Sequence, residues 1–182
     1  ITINGQKMGK SLGNFITLEQ LTTGAHPLLE QAYSPMTIRF FILQAQYRST
    51  LDFSNEALQA AEKGYERLMK AVSTLKKIKP SEASSVDISD VEARCTAAMD
   101  DDLNSPMVIS ELFDCVRTIN QIYDGKQTIS AADLTELQRV VDLFVFDILG
   151  LRDDLAGDNS QMLSSVVDMI LNIRMEAKNA KE

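Results

Sequence analysis

The sequence contains no tryptophan, one histidine, two cysteines, four prolines and eight glycines among its 182 residues. The scarcity of glycine and proline favours helices over a turn-rich β architecture. Cys95 and Cys115 lack CxxC spacing, which argues against a zinc site or a disulfide framework in this chain and predicts two buried, reduced thiols. No apolar run approaches the roughly 18 residues that a membrane span requires, and no signal peptide is evident. We therefore expect a soluble, cytoplasmic protein with no membrane partner.

Charge is unevenly distributed along the chain. Residues 1–80 carry ten Lys and Arg against six Asp and Glu, whereas residues 81–182 carry eight against twenty, and the whole chain has a net charge of −8. A polyanionic partner is therefore expected to bind the first part. The chain begins at Ile1 in ITING, which alternates like the end of a β-strand. This start predicts a piece of a longer protein.

Helix start and stop signals divide most of the remaining sequence into helices. Side chains suited to N-capping precede apolar periodicity at Thr17, Ser34, Ser54, Asn104 and Ser130. The predicted helices cover residues 17–23, 28–33, 35–47, 54–77, 89–101, 104–124, 130–149 and 160–180. Residues 79–87 are polar and rich in proline and serine, which predicts a linker.

The apolar faces of these helices must be buried against one another. We therefore predict a mostly α fold, with a short strand and loop connector followed by an antiparallel helical bundle. The predicted domain boundary separates residues 1–53, the connector, from residues 54–182, the bundle.

Residues 6–15, QKMGKSLGNF, have a composition that neither a helix nor a strand favours. Lys7 and Lys10 supply two mobile charges, and Gly9 and Gly13 allow positive φ and a close approach of the backbone to a ligand. This composition is typical of a loop that binds phosphate. An isolated pair of lysines in a glycine-containing loop is also common in a solvated turn.

Lys7-Met8-Gly9-Lys10-Ser11 resembles the KMSKS signature of class I aminoacyl-tRNA synthetases, with glycine replacing the first serine. It continues as LGNFITL, and two further blocks follow, YRSTLDFS at 47–54 and DDLNSP at 101–106. The three blocks in this order are similar to cysteinyl-tRNA synthetases, and so is RMEAK at 174–178. The resemblance covers nearly all of this chain but only the later part of that family's length.

This resemblance implies a ligase that activates cysteine with ATP and transfers it to tRNA(Cys). Lys10 is the implied catalytic residue, because a flexible lysine can stabilise the negative charge that builds up on the phosphates in the transition state. Lys7 would be an auxiliary phosphate contact and Ser11 a hydrogen-bond donor. Gly9 would be a hinge of this ATP-binding loop, which also includes Met8.

The chain lacks the HIGH-type motif of the facing nucleotide site and the Cys and His ligands of the zinc that the family uses to select cysteine. The resemblance therefore implies that zinc belongs to a full-length enzyme and has no ligands here. It also implies that this chain alone is inactive, as part of a protein that we expect to be a monomer.

Two alternatives remain open at this point. One is the related ligase that joins activated cysteine to an amino sugar, and the other is a non-catalytic helical scaffold. Phe15-Ile16-Thr17 and the block at 47–54 favour the tRNA ligase.

Other charged residues have structural interpretations. His26 is expected in an exposed loop, and the carboxylates at 100–102 mark a helix end followed by a cap. Arg39 and Arg48 are expected to form buried or interdomain pairs, with tRNA contact as the less favoured role. The basic helix end could contact tRNA or simply complement the helix dipole, and comprises Arg67, Lys70, Lys76, Lys77 and Lys79.

Overall fold

A computed structural model describes residues 1–154 and Met169. A small three-stranded sheet opens the chain, formed by β1 (Thr2–Ile3), β2 (Gln6–Lys7) and β3 (Asp52–Phe53). The strand order is β2-β1-β3, with β1 antiparallel to β2 and parallel to β3. The strand expected at the start of the chain is thus confirmed, and β3 brings residues far along the sequence beside it.

A two-residue turn joins β1 to β2. Asn4 and Gly5 both have positive φ, 50° and 76°. An Asn-Gly pair is the preferred sequence for such a turn, because both residues adopt left-handed backbone at little cost. The hairpin was not among our expectations, although this dipeptide is a strong signal for it.

Six α-helices follow within residues 1–154, and five of their N-caps were predicted. They are α1 (Leu18–Thr23), α2 (Pro35–Leu43), α3 (Asn55–Leu75), α4 (Val91–Asp100), α5 (Ser105–Tyr123) and α6 (Ala131–Asp142). The side chains of Thr17, Ser34, Ser54, Asn104 and Ser130 each accept a hydrogen bond from the backbone N–H three residues later. A π-helical segment, Leu143–Ile148, continues α6 towards Gly150, whose φ is 62°.

The core lies between the helices. Helix α3 packs against α2 and α5, and α4 packs against α5. The apolar stripe predicted on α3 is buried, and consists of Leu58, Ala61, Tyr65, Leu68, Val72 and Leu75. At its centre the Tyr65 ring lies 6.1 Å from the Phe40 ring of α2. The predicted mostly α class and helical bundle are confirmed.

The helix predicted at 28–33 is wrong. These residues form turns, bends and irregular backbone, because their polar groups bond elsewhere. The Asn55 side chain accepts from the Glu30 N–H at 3.0 Å and donates to the Leu28 carbonyl at 2.9 Å, and the Tyr33 N–H donates to the Leu21 carbonyl at 2.9 Å. A tertiary contact thus replaces the local helical bonds.

Two further expectations change in detail. Helix α2 ends at Leu43 rather than at residue 47, and the Leu43 carbonyl accepts from the Ser105 hydroxyl at 2.8 Å. The predicted linker is tied to the segment before α6, because the Ser81 and Ser85 N–H groups donate to the carbonyls of Ile129 and Thr128 at 2.8 and 3.0 Å.

The chain divides into two compact units, Ile1–Arg152 and Asp153–Glu182. The helix predicted at 160–180 lies outside the described residues, apart from Met169, which is helical. Within the described part, no helix combines the length and apolar character that crossing a membrane requires. The domain boundary at residue 53 stays a prediction.

Candidate functional site: the loop at residues 7–15

The lysine-bearing segment forms a compact loop at the end of the hairpin. After β2 ends at Lys7, the chain makes one turn of 3₁₀ helix, Lys10–Leu12. Gly13 then reverses direction with φ 68°, and its N–H donates to the Lys10 carbonyl at 3.2 Å. Positive φ at Gly13 was predicted, and glycine adopts it without the steric cost of a Cβ.

Gly9 does not follow the same prediction. Its φ is −164°, which is extended backbone open to any residue, so the expected positive φ at Gly9 is wrong. A Cβ built at Gly9 would come no closer than 3.9 Å to the Leu12 side chain. The serine of the KMSKS pattern would therefore fit here without a clash.

The Asn14 side chain closes the base of the loop. Its Oδ1 accepts from the Gly9 N–H at 2.9 Å, and its Nδ2 donates to the Lys7 carbonyl at 3.0 Å. Asn14 is only 7% exposed, and Thr37 is the other buried polar side chain among the described residues. Both ends of the buried amide are thus paired with loop backbone.

The two ammonium groups face solvent. Lys7, Lys10 and Ser11 are exposed, whereas Met8 and Gly9 are half-buried. The Lys10 ammonium lies 5.6 Å from the centre of the Phe15 ring, within the range of a cation–π contact. No carboxylate occurs in residues 6–15, so Lys7 and Lys10 are the only charged residues of this segment.

The second block of the sequence, residues 47–54, is hydrogen-bonded to the β1–β2 hairpin that bears this loop. Asp52 of β3 accepts from the Thr2 hydroxyl at 2.5 Å and from the Gly5 N–H at 2.9 Å. The hydrogen bond from Thr2, followed by that from Gly5, lowers the pKa of Asp52. The carboxylate therefore stays ionised while it anchors the turn.

The same block also contacts the third block, residues 101–106. Asp102 accepts from the Tyr47 hydroxyl at 2.8 Å and lies 3.3 Å from the Arg48 guanidinium. The hydrogen bond to Asp102 is the main cause of the raised pKa of Tyr47. Residues 47–54 therefore contact both the hairpin that bears the lysine loop and the third block, through Asp52 on one side and through Tyr47 and Arg48 on the other.

The arginine expectations are partly corrected. Arg48 makes the expected pair, and of the two expected kinds, buried or interdomain, the buried one is excluded, because its side chain is 70% exposed and the Asp102 side chain 44% exposed. Arg39 is also exposed, and its Nε donates to the Leu149 carbonyl at 2.9 Å. This contact complements the carboxyl-terminal end of the π-helical segment.

The other candidates have structural roles. His26 is partly buried rather than exposed, and its Nδ1 accepts from the Leu28 N–H at 3.2 Å within a turn. Cys95 and Cys115 are buried and unpaired with each other, as predicted. In residues 1–154, no group of three or more His, Cys, Asp and Glu could hold a metal ion.

The basic helix end is exposed, and two of its members contact aromatic rings. The Arg67 guanidinium lies 5.8 Å from the Phe113 ring centre, and the Lys76 ammonium lies 5.8 Å from that of Phe146. Lys76 also caps α3, where a cation interacts favourably with the helix dipole.

Sequence reasoning gave no role to Asn14 or Asp52. The sequence did hold a signal for Asn14. It is a polar residue between Gly13, which turns the chain, and the apolar Phe15 and Ile16, a position that favours a side chain hydrogen-bonded to the loop. Asp52 had no comparable local signal, because its partners Thr2 and Gly5 lie far away in the sequence.

Two protein-family models match parts of the chain. Residues 1–63 match the model of the class I tRNA synthetase (C) catalytic domain, and residues 94–152 match that of the DALR domain. The first match includes the loop and the first two blocks, and the second includes the third block.

Curated relatives align with the entire chain. It is 61% identical to the cysteine–tRNA ligase of Parabacteroides distasonis and 56% identical to that of Porphyromonas gingivalis, and each alignment covers 100% of this chain and 38% of the relative. The cysteine–tRNA ligase of Chlorobaculum tepidum is 35% identical, with 100% and 37% covered. The chain thus spans little more than a third of the length of these relatives.

Proposed function

Because the chain is homologous along its whole length to the cysteine–tRNA ligase family, we propose that it is the part of such an enzyme that carries the ATP-phosphate loop and a tRNA-facing helical bundle. The full-length ligase would activate cysteine with ATP and transfer it to tRNA(Cys). The observation that carries this proposal is the loop at 7–15, which presents two exposed ammonium groups inside a segment that matches the class I catalytic domain.

Lys10 is the proposed catalytic residue of the loop. ATP, when bound, supplies the adenylyl group that activates the cysteine carboxylate. The Lys10 ammonium would stabilise the negative charge that develops on the phosphates as pyrophosphate leaves, and this interaction would be stronger in the transition state than in the ground state.

The rest of the loop would assist Lys10. Lys7 would contact a phosphate, and the exposed Ser11 hydroxyl would donate a hydrogen bond. Met8 and Gly9 would complete the binding loop, with Gly9 as the hinge. An exposed lysine on a short loop can reach a phosphate with little rearrangement of the core.

The bundle is the proposed tRNA-facing part. The DALR match at 94–152 supports a role with tRNA, and the positive charge of residues 1–80 supports contact with a polyanion. These features favour tRNA(Cys) over an amino sugar as the acceptor, and the class I domain match favours a ligase over a scaffold.

Zinc does not fit the residues described here. Burial raises the pKa of the Cys95 thiol to about 11 and that of Cys115 to about 12, and neither thiol is joined by a set of further ligands. Any zinc that selects cysteine would thus be held elsewhere in the full-length enzyme, which we propose to be a cytoplasmic monomer.

The proposal is tested with the full-length ligase that contains this chain. It should catalyse cysteine-dependent exchange between ATP and pyrophosphate and should charge tRNA(Cys). Lys10→Ala should lower the exchange rate about a hundredfold, which is typical for loss of one charge-stabilising donor. Lys63→Ala, which removes an exposed lysine from α3, is the matched control and should leave the rate unchanged.

Three results would count against the proposal. Normal exchange in Lys10→Ala would refute the role of the loop lysine. Cysteine transfer to an amino sugar, with no charging of tRNA(Cys), would favour the amino-sugar ligase. Absence of any cysteine-dependent exchange in the full-length protein would favour the scaffold.

A further inference from the structure

We infer that Asn14 is a positioning residue for Lys10, an assignment that rests on the proposed function of the loop. Asn14 is the buried polar side chain nearest to the two lysines in sequence, and its partners are all in the loop. It does not itself face solvent, so it would act through the backbone that carries Lys10.

The Asn14 amide links two backbone groups of the loop to each other. Asn14 bonds to the Lys7 carbonyl and to the Gly9 N–H, which lie on either side of Met8. Lys10 is the residue immediately after Gly9 and the first of the 3₁₀ turn. One side chain therefore fixes both the end of β2 and the direction in which the chain enters the turn.

Asparagine is suited to this role because it both donates and accepts. The Lys7 carbonyl requires an N–H donor, and the Gly9 N–H requires an acceptor. An aspartate would keep the acceptor but would place a second oxygen against the Lys7 carbonyl, and an alanine would remove both bonds. Because the site is buried, water cannot readily replace the lost partner.

Phe15, the next residue, acts on the Lys10 side chain itself. Its ring contacts the ammonium at 5.6 Å, while Asn14 restrains the backbone on which that side chain is mounted. The two consecutive residues thus act on different parts of Lys10, Asn14 on its backbone and Phe15 on its ammonium group.

The test uses the full-length ligase and measures cysteine-dependent exchange between ATP and pyrophosphate per titrated active site. Asn14→Asp and Asn14→Ala should each lower kcat by roughly ten- to a hundredfold, since small misplacements of a catalytic group have effects of this size. The KM for cysteine should stay unchanged. The decisive measurement is the same pair of substitutions in a Lys10→Ala background, where each should change the rate by less than about twofold.

Thr37→Val is the matched control. Thr37 is the other buried polar side chain in the described part of the chain, it bonds to Ser34 at 3.2 Å, and it lies in α2 away from the loop. This variant should lose some stability and keep the rate per active site.

Several outcomes would overturn the inference while leaving the proposed function intact. With an active wild type and an impaired Lys10→Ala variant, an unchanged rate in both Asn14 variants would refute it. An equal loss of rate in the Lys10 and Lys10→Ala backgrounds would also refute it. The same holds if the Asn14 variants lose only active-site titre or cannot be recovered as folded protein, because each result indicates a purely structural residue. An inactive wild type or a fully active Lys10→Ala variant would instead refute the proposed function.

Discussion

The Tyr47 hydroxyl donates to Asp102 Oδ1 at 2.8 Å, which links the segment after α2 to the connection between α4 and α5. Five residues after Tyr47, Asp52 anchors the Asn4-Gly5 turn of the hairpin that bears the loop. A continuous set of contacts therefore runs from the helical bundle to the lysine-bearing hairpin, and it passes through residues 47–54.

The connection at Asp102 has an unusual backbone. Asp102 and Leu103 have φ of 56° and 54°, a region that costs a residue with a Cβ about 1–2 kcal/mol. Leu103 is 62% exposed, so its side chain contributes little packing. Leu103→Gly should raise the free energy of unfolding by about 0.5 kcal/mol, because relief of this strain outweighs the greater freedom of glycine in the unfolded chain.

Met107→Gly is the control for this prediction. Met107 is 49% exposed and lies in α5, where glycine should cost about 1 kcal/mol. Urea denaturation of the two variants should give shifts of opposite sign. A loss of stability in Leu103→Gly as large as that in Met107→Gly would contradict the strain at residue 103.

The helices could be predicted from sequence because their signals are local. A cap such as Ser54 and the apolar stripe on α3 lie within a few turns of the helix that they define, so α3 was predicted to within two residues of its observed end. The prediction of a helix at 28–33 was wrong because the structure there depends on a contact that is distant in the sequence. Its backbone bonds to Asn55, a contact that no local pattern encodes.

The candidate site divides in the same way. Lys7 and Lys10 are visible in the sequence because their chemistry and spacing are enough to suggest a phosphate ligand. The residues that hold them, Asn14 and Asp52, become evident only when the fold brings their partners close. Sequence thus identifies the groups that would act, whereas the structure identifies what orients them.

Gly24 should be far less tolerant of substitution than Gly125. Both end a helix with positive φ, 71° and 72°. A Cβ at Gly24 would lie 2.9 Å from the Ala32 nitrogen, whereas one at Gly125 would meet nothing within 4 Å. Gly125→Ala should cost about 1 kcal/mol for the backbone alone, and Gly24→Ala about 3 kcal/mol because the 24–33 segment must also move.

Thermal or urea unfolding of the two variants measures this difference, and Gly125→Ala serves as the control for backbone strain. Equal destabilisation of the two variants would mean that residues 24–33 can move to accommodate the new Cβ without a loss of stability. That result would contradict the close packing at Gly24.

The two cysteines should be inert towards thiol reagents in the folded protein. Burial raises the pKa of Cys95 to about 11 and that of Cys115 to about 12, so neither forms the reactive thiolate at pH 8. A disulfide reagent should therefore label both thiols only on unfolding, with full labelling in denaturant. Fast labelling of either thiol in native protein would contradict its burial.

The same shifts predict loss of stability at alkaline pH. The unfolded thiols ionise near their ordinary pKa of 9.0, whereas the folded ones stay protonated until pH about 11 or 12. The contribution of the two thiols to the free energy of unfolding is therefore complete below pH 9, and it is lost as the pH rises towards their pKa values in the folded protein. The urea midpoint should fall between pH 9 and 11, and a Cys95→Ala, Cys115→Ala double variant should show a shallower fall.

Phe15 should influence how readily the proposed ATP-binding loop releases Lys10. The ring is 40% exposed, and its contact with the Lys10 ammonium at 5.6 Å stabilises the conformation without ATP by about 0.5–1 kcal/mol. Phe15→Leu removes this contact, so less free energy is needed to move the lysine to a phosphate. The KM for ATP in pyrophosphate exchange by the full-length ligase should therefore fall two- to fivefold.

Phe15→Tyr is the matched control for this last prediction, because it keeps an aromatic face beside Lys10 and should leave the KM for ATP unchanged. A higher KM for ATP in Phe15→Leu would have the opposite meaning. It would show that the ring stabilises the position of Lys10 that binds ATP and not the position that Lys10 takes without ATP. The sign of the change thus distinguishes a ring that retains the lysine from one that presents it. Raising the salt concentration should alter both variants equally, since Lys7 and Lys10 remain in each.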